Sequence, residues 1–324
     1  MFPGGYLSRA PPAAQRGEDP PGPRDAVRGP AAPAHRRPAP PPTRCLLRIE
    51  ILGRPKIIAD DGAVLPVTGT KPALLVTLLA LWEGRPVGVP LIGEFLWGDG
   101  APASGAANIQ TYVWRIRRIL RTATPGGDAR LAYGPGAYRL GLAPEECDFP
   151  EMMDLRAAAA EALREEDLVR ALELFRAALR LWRGDPLPAA GTSSSLTLLG
   201  ESRRMAEVRL TLHEGRLATA LALGRHQGAA AELRGLLTRY PLRERLQLLL
   251  MCALCLEGDP GAALRAYRDM SLRLRTERGA GPGEGLRRAH RSILAGGSVC
   301  PRETLRAVAP PRPAPGPRPL PTGR

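Results

Sequence analysis

The side chains best suited to chemistry in this sequence lie between positions 108 and 121. Apolar residues recur there at helical spacing and form one stripe, namely Ile109, Val113, Ile116 and Leu120. The other positions include no acidic residue and carry the side chains that we predict to contact DNA: Asn108, Gln110, Thr111, Trp114, Arg115, Arg117, Arg118 and Arg121. Arginine can pair with guanine, asparagine and glutamine with adenine, and a threonine methyl with thymine. The segment therefore predicts a helix that a core holds on one face and that reads the major groove with the other.

An ordinary amphipathic surface helix would show the same periodicity. Lys56 and Lys71 are the only lysines, so 44 of the 46 cations are arginine, and alanine, glycine and proline are also common. Such a composition suggests a GC-rich genome, in which many arginines have no function. The net charge of +14 favours a polyanionic partner but does not separate nucleic acid from an acidic membrane. The elements predicted around this segment are therefore needed to distinguish a DNA-binding helix from an ordinary surface helix.

A turn-rich segment follows this helix. Residues 130–133 and 138–140 are strand-like, and Gly134-Pro135-Gly136-Ala137 joins them into a tight β-hairpin. Two further helices are predicted upstream, at 72–82 and 90–96, each opened by a proline, and Ser104 is a suitable cap for the third. Short strands are predicted at 47–51, 56–58 and 64–65. Three helices and a hairpin follow the order of a winged helix, whose wing residues would be Tyr133, Gly134, Gly136 and Tyr138.

The pattern changes near Ala143-Pro144, after which long helices rich in Ala, Leu and Arg continue to about 294. An Ala-Leu-x-x-aromatic pattern occurs at 171–175 and 263–267, with a weaker copy at 231–240, and suggests tetratricopeptide-like helical pairs. The predicted fold is an α+β winged helix-turn-helix domain (44–142) followed by an all-α helical domain (143–296). The proline-rich tails, 1–43 and 297–324, are predicted to be disordered.

Several motifs in this order resemble a known family. They are Leu91-Ile92-Gly93-Glu94-Phe95-Leu96-Trp97-Gly98-Asp99, the segment 108–120, and Gly136-Ala137-Tyr138-Arg139-Leu140, followed by Leu181-Trp182-Arg183-Gly184 and Pro241-Leu242-Arg243-Glu244. Together they resemble an OmpR-type winged helix followed by a bacterial transcriptional activation domain, as in the Streptomyces antibiotic regulatory proteins. The resemblance covers about 250 of the 324 residues.

The resemblance implies roles for individual residues. Arg115 would read bases with Thr111 nearby, and Trp114 and Arg117 would contact phosphates. The loop that begins with Trp97, Gly98 and Asp99 would contact RNA polymerase. Three departures set this chain apart, because the hairpin turn carries no arginine, Pro90 replaces a usual polar residue, and Trp114 is bulkier than the common small residue.

Other chemistry finds little support in the sequence. Cys252 and Cys255 lie in an apolar helical run without two further zinc ligands nearby, so buried structural thiols are expected. No catalytic constellation or Gly-x-x-x-x-Gly-Lys phosphate loop occurs. The five cysteines are scattered, and neither a signal peptide nor an apolar run of membrane-spanning length is evident. The sequence predicts a cytoplasmic protein that is not an enzyme and uses no cofactor or metal.

The function predicted is that of a transcriptional activator of a secondary-metabolite gene cluster. It would bind direct repeats in double-stranded DNA as a homodimer and engage RNA polymerase, without contact with a membrane. One alternative remains, a helical-repeat adaptor with only non-specific DNA binding. The operator, the metabolite and any small-molecule signal are not predicted.

Overall fold

A computed structural model describes residues 47–187 and 193–297, together with the single residues 299, 302 and 305. The tail at 1–43 and most of the tail at 297–324 lie outside the described residues. No helix of the described part is long and apolar enough to cross a membrane.

The described part of the chain begins with a three-stranded antiparallel sheet in the order β1-β2-β3. β1 is Arg48–Glu50, β2 is Lys56–Ile58 and β3 is Val64–Pro66. The alternation seen in the sequence is confirmed, because Leu47, Ile49 and Ile51 are all buried while the residues between them are half-buried. The predicted strands and the turn between the last two are therefore confirmed.

Three helices follow: α1 is Thr70–Leu81, α2 is Val89–Trp97 and α3 is Gly105–Ala123. The predicted helix at 72–82 begins two residues earlier than expected. Ser104 does occupy the cap position of α3, but its hydroxyl accepts no backbone N–H. The hydroxyl instead accepts a hydrogen bond from Asn108 Nδ2 at 3.1 Å. The prediction that Ser104 caps the helix with its side chain is therefore wrong.

The hairpin is present and belongs to a second sheet in the order β4-β6-β5. β5 is Leu131–Gly134, β6 is Ala137–Leu140, and β4 is only Val87–Gly88. The two-residue β4 was missed because it follows Gly84-Arg85-Pro86, which indicates only the end of a helix. Its pairing with β6 ties the hairpin to the start of α2.

Seven helices make up the described remainder of the chain. They are α4 (Asp148–Arg164), α5 (Leu168–Arg180), α6 (Leu196–Ala222), α7 (Ala229–Arg239), α8 (Glu244–Leu256), α9 (Pro260–Arg278) and α10 (Glu284–Leu294). α4 packs on α5 and α5 on α6, while α8 packs on both α7 and α9. The helical pairs expected from the repeated pattern are therefore adjacent in space.

The hydrophobic core divides within α6 and not where the sequence pattern changes near residue 143. One cluster of buried side chains runs from Leu47 to Leu212 and includes the sheets, α1–α5 and the first half of α6. A second cluster runs from Leu210 to Val299. The elements around α3 therefore share one core with α4 and α5.

Candidate nucleic-acid interface

The inner face of α3 is buried as its periodicity predicted. Ile109, Val113, Ile116 and Leu120 are each no more than 2% exposed. They pack in the core shared with α1, α2 and β2, which fixes the orientation of the helix. The opposite face is therefore directed to the solvent.

That outer face carries most of the predicted contact residues. Gln110, Thr111, Trp114, Arg115 and Arg118 are exposed, whereas Asn108 is half-buried. Thr111 Oγ1 donates to the carbonyl of Ala107 at 3.0 Å, as threonine commonly does within a helix. Within the described residues, the Arg115 guanidinium has no hydrogen-bond or ion-pair partner, so all its donors are available to a ligand.

Arg117 differs from Arg115 although it lies only two positions away. Its Nε and Nη2 atoms both donate to the carbonyl oxygen of Leu131, at 3.0 and 2.8 Å. Leu131 begins strand β5 of the hairpin and is 1% exposed. Arg117 therefore joins α3 to the hairpin, and its predicted phosphate contact would have to compete with this bond.

Arg121 is also paired, but at the surface. Its Nη2 lies 2.8 Å from Asp128 Oδ2, and its side chain stays 68% exposed. The hydrogen bond from Arg121 lowers the pKa of the Asp128 carboxyl, which therefore stays ionised beside this cation at neutral pH. Because an exposed pair of this kind is weak, Arg121 remains accessible to a stronger anion.

A basic cleft lies between α3 and the hairpin, with a volume of about 570 Å³. Trp114, Arg118 and Arg121 line its α3 side, and Ala132 of β5 lies on the other. The guanidinium of Arg118 sits 5.8 Å from the centre of the Trp114 ring, which is 59% exposed. A cation held over an exposed aromatic ring suits contact with a phosphate backbone and its sugars.

The hairpin adds one cation that the sequence reasoning missed. Arg139 on β6 pairs with Ala132 across the ladder, and directly opposed residues share one face of a sheet. Arg139 is exposed, and it lies across the ladder from a residue at the edge of the cleft. Its alternation with buried Tyr138 and Leu140 was the signal that could have identified it.

The remaining wing residues have mainly structural positions. Gly136 has φ +67°, as the third position of a type II turn after Pro135 requires. Tyr138 is buried, and this burial raises the pKa of its phenol. Tyr133 packs against it with the ring centres 4.8 Å apart but remains 59% exposed. Gly134 is exposed at the end of β5.

The loop predicted to contact RNA polymerase is only partly exposed to solvent. Trp97 is half-buried and lies against Tyr112, with ring centres 6.4 Å apart. A Cβ atom added at Gly98 would come within 2.5 Å of Ser194 Oγ, so the segment before α6 closely approaches this glycine. Asp99 is exposed. Of the three predicted residues, Asp99 is the one whose side chain is open to a partner.

A buried carboxylate joins the first sheet to the helical part. Asp148 is fully buried and accepts the N–H groups of Ile51 and Leu52 at 2.8 and 3.0 Å. It also pairs with Arg183, whose Nε lies 3.2 Å from Glu50 Oε2. Burial raises the pKa of Asp148, and these hydrogen bonds act against that rise. The site that holds β1 in place is thus built from residues about 100 positions apart.

Cys252 and Cys255 occupy structural positions in α8. Cys252 is fully buried and its Sγ lies 3.6 Å from the carbonyl oxygen of Val299, while Cys255 is half-buried. Burial raises the pKa of the Cys255 thiol. Among the residues that the structure describes, no group of three or more His, Cys, Asp or Glu side chains is arranged to hold a metal ion.

Comparison with known proteins places the chain among transcriptional regulators. Residues 147–294 match the model of the bacterial transcriptional activator domain. The chain is 33% identical over 255 residues to the regulatory protein DnrI of Streptomyces peucetius, an alignment that covers 76% of this chain and 92% of DnrI. It is 36% identical over 270 residues to the regulatory protein AfsR of Streptomyces coelicolor, covering 82% of this chain. The alignment spans only about a quarter of AfsR, 26%.

The chain is also similar to a solved structure. That structure is Mycobacterium tuberculosis EmbR in complex with a low-affinity phosphopeptide, with a TM-score of 0.73 and 27% sequence identity. The match covers 81% of this chain and 69% of the EmbR chain. The likeness thus extends well beyond residues 147–294.

Proposed function

Because the chain belongs to the Streptomyces antibiotic regulatory proteins, a family of transcriptional regulators, we propose that it activates a secondary-metabolite gene cluster by binding DNA upstream of promoters. Residues 47–142 would act as an OmpR-type winged helix, with α3 in the major groove and the β5–β6 hairpin as the wing. The observation that carries the proposal is the outer face of α3, where Arg115 is exposed and unpaired within the described residues while the opposite stripe is buried.

The DNA-binding side chains divide into two groups by chemistry. Base recognition is proposed for four residues of α3, which are Asn108, Gln110, Thr111 and Arg115. Phosphate binding is proposed for Trp114, Arg118 and Arg121, which line the basic cleft, and for the exposed Arg139 on the hairpin. Arg117 would act mainly by holding the hairpin against α3. Replacing any one of the phosphate-binding arginines by alanine should lower the salt slope of binding by about one unit.

The proposal includes a homodimer on direct repeats. Winged helices that bind in the same orientation place adjacent protomers on one face of the duplex when the repeats are about one helical turn apart. Asp99, exposed beside the covered Trp97 and Gly98, is the proposed contact for RNA polymerase. Since its template would be chromosomal DNA, the protein would act in the cytoplasm.

The test is a footprint on promoters near its own gene, with wild type and Arg115→Ala compared at physiological salt. The matched control is Arg180→Ala, which removes another exposed arginine, at the end of α5. We expect protected paired repeats, with a loss of about 1–3 kcal/mol for Arg115→Ala and no change for the control. Equal, salt-sensitive coating of promoter and random DNA by all three proteins would reject specific recognition and favour the helical-repeat adaptor.

A further inference from the structure

A groove lies between α7 and α9, far along the sequence from α3. Its floor is one face of α8, because Gln247, Leu250 and Leu254 follow one another at spacings of three and four residues. α7 and α9 pack on either side of α8 and form the walls. The volume is about 570 Å³. Leu237 and Met270 extend the apolar floor onto the walls.

The rim of this groove is cationic. Arg234 on α7 and Arg265 and Arg273 on α9 are exposed and line it, and Asp269 supplies the one lining carboxylate found among the described residues. Arg265 lies 3.7 Å from Asp259, whereas Arg234 and Arg273 have no ion-pair partner among the described residues. An apolar floor with a cationic rim complements a ligand whose apolar side chains are flanked by carboxylates.

Gln247 is an independent indication that the groove binds a ligand. It lines the floor and is only 5% exposed, yet its side-chain amide has no hydrogen-bond partner among the described residues. The small exposed fraction of this residue lies at the groove floor, so its amide is open to a hydrogen bond from a ligand in the groove. A peptide carbonyl, peptide N–H or carboxylate lying over α8 would satisfy it.

The length of the groove indicates the kind of ligand. Its α9 wall extends from Ala262 to Arg273, which at 1.5 Å per residue is about 16 Å. Arg265 and Arg273 are separated by about 12 Å along the same wall. That spacing suits carboxylates distributed along a chain. The Cys252 side of α8 is already occupied, since Val299 packs there, so the groove is a separate face of the helix.

We infer that this groove binds an acidic, partly apolar peptide segment of a partner protein, with Arg234, Arg265 and Arg273 pairing its carboxylates and Gln247 bonding its backbone. The inference goes beyond DNA binding and does not depend on it. It gives the helical part of the chain a docking site of its own.

The test uses the full-length protein and two short fluorescent peptides, one alternating glutamate with leucine and one with every glutamate replaced by glutamine. Fluorescence anisotropy at physiological salt reports binding to wild type and to Arg265→Glu/Arg273→Glu. The matched control is Arg268→Glu/Arg275→Glu, which makes the same charge change on exposed α9 residues that do not line the groove. Circular dichroism confirms that each variant is folded.

We expect the glutamate peptide alone to bind wild type, and the groove variant to weaken that binding roughly tenfold or more while the α9 control leaves it within about twofold. Gln247→Leu should also weaken binding of the glutamate peptide, although it leaves the charge of the groove unchanged. The inference is overturned if neither peptide binds, if both bind equally, or if the control weakens binding as much as the groove variant. Displacement of the peptide by free succinate at equal carboxylate concentration would identify a small-molecule site instead. Self-association that only the groove variant abolishes would identify a second copy as the occupant.

Discussion

Glu94 on α2 and Ser195 at the start of α6 form a hydrogen bond, in which Ser195 Oγ donates to Glu94 Oε1 at 3.1 Å. Glu94 also accepts the N–H of Thr197 at 3.3 Å, while Ser195 Oγ accepts that of Leu198 at 3.0 Å. Burial would raise the pKa of Glu94, but the bonds from Thr197 and Ser195 outweigh it and lower the pKa. A carboxylate from one element thus stabilises the N-terminus of another, where the helix dipole favours negative charge.

Replacing Glu94 should destabilise the fold at this junction. Glu94→Ala removes the carboxylate that accepts the first N–H groups of α6, so we expect the free energy of unfolding to fall by about 1–3 kcal/mol. Glu94→Gln keeps an acceptor and should cost less. Urea denaturation measures both, with the exposed Glu173→Ala as the control. An equal effect of Glu94→Ala and Glu173→Ala would show that the junction contributes little.

Two glycines of α6 should respond in opposite directions to alanine. A Cβ atom at Gly215 would lie 2.5 Å from Cζ of Phe175, a core side chain that is 2% exposed, whereas nothing lies within 4 Å of one at Gly200. Gly215→Ala should therefore cost about 1–3 kcal/mol because the core must shift. Gly200→Ala should stabilise the helix by about 0.5–1 kcal/mol. Thermal unfolding followed by circular dichroism compares them, and an unchanged melting temperature for Gly215→Ala would contradict the close packing.

Substitutions of Arg117 and Arg115 should separate an effect on the stability of the fold from an effect on DNA recognition. Arg117→Ala removes both donors from the buried Leu131 carbonyl, so we expect a loss of about 1–2 kcal/mol and faster hydrogen exchange in the hairpin. Arg117→Lys should restore only part of the lost stability, because an ammonium group lacks the planar pair of N–H donors that a guanidinium directs at one carbonyl. Arg115→Ala should leave the stability within about 0.5 kcal/mol of wild type. Unchanged exchange in Arg117→Ala would show that the hairpin does not depend on this arginine.

Ionisation of Glu232 should make the free energy of unfolding fall as the pH is lowered into the acid range. The close approach of His213, whose Nδ1 lies 3.4 Å from Glu232 Oε1, and the ion pair with Arg216 lower the Glu232 pKa from its ordinary 4.5 to about 2. A lowered pKa means that the ionised carboxylate stabilises the fold fully above pH 4.5, and this contribution is lost as the pH falls toward 2. The stability difference between wild type and Glu232→Gln should shrink across that window in urea titrations. A difference that is independent of pH would contradict the assignment.

The local elements were predictable because their causes lie within a few residues. The stripe from Ile109 to Leu120 repeats at helical spacing, and helical spacing alone decides that these four side chains share a face. The hairpin likewise follows from Pro135-Gly136, since that pair favours a tight turn wherever it occurs. The family resemblance rested on the order of such local motifs.

Arg115 and Arg117 show what the sequence by itself left open. Both are arginines on one predicted helix, and the sequence assigns both to DNA. Tertiary structure separates them, because only Arg117 comes within bonding distance of the Leu131 carbonyl. Ser194 likewise packs against Gly98, and buried Asp148 accepts a hydrogen bond from Ile51. In both pairs the residues are about 100 positions apart in the sequence. Periodicity and turn chemistry are properties of neighbouring residues, whereas the partner of a side chain depends on which distant elements pack beside it.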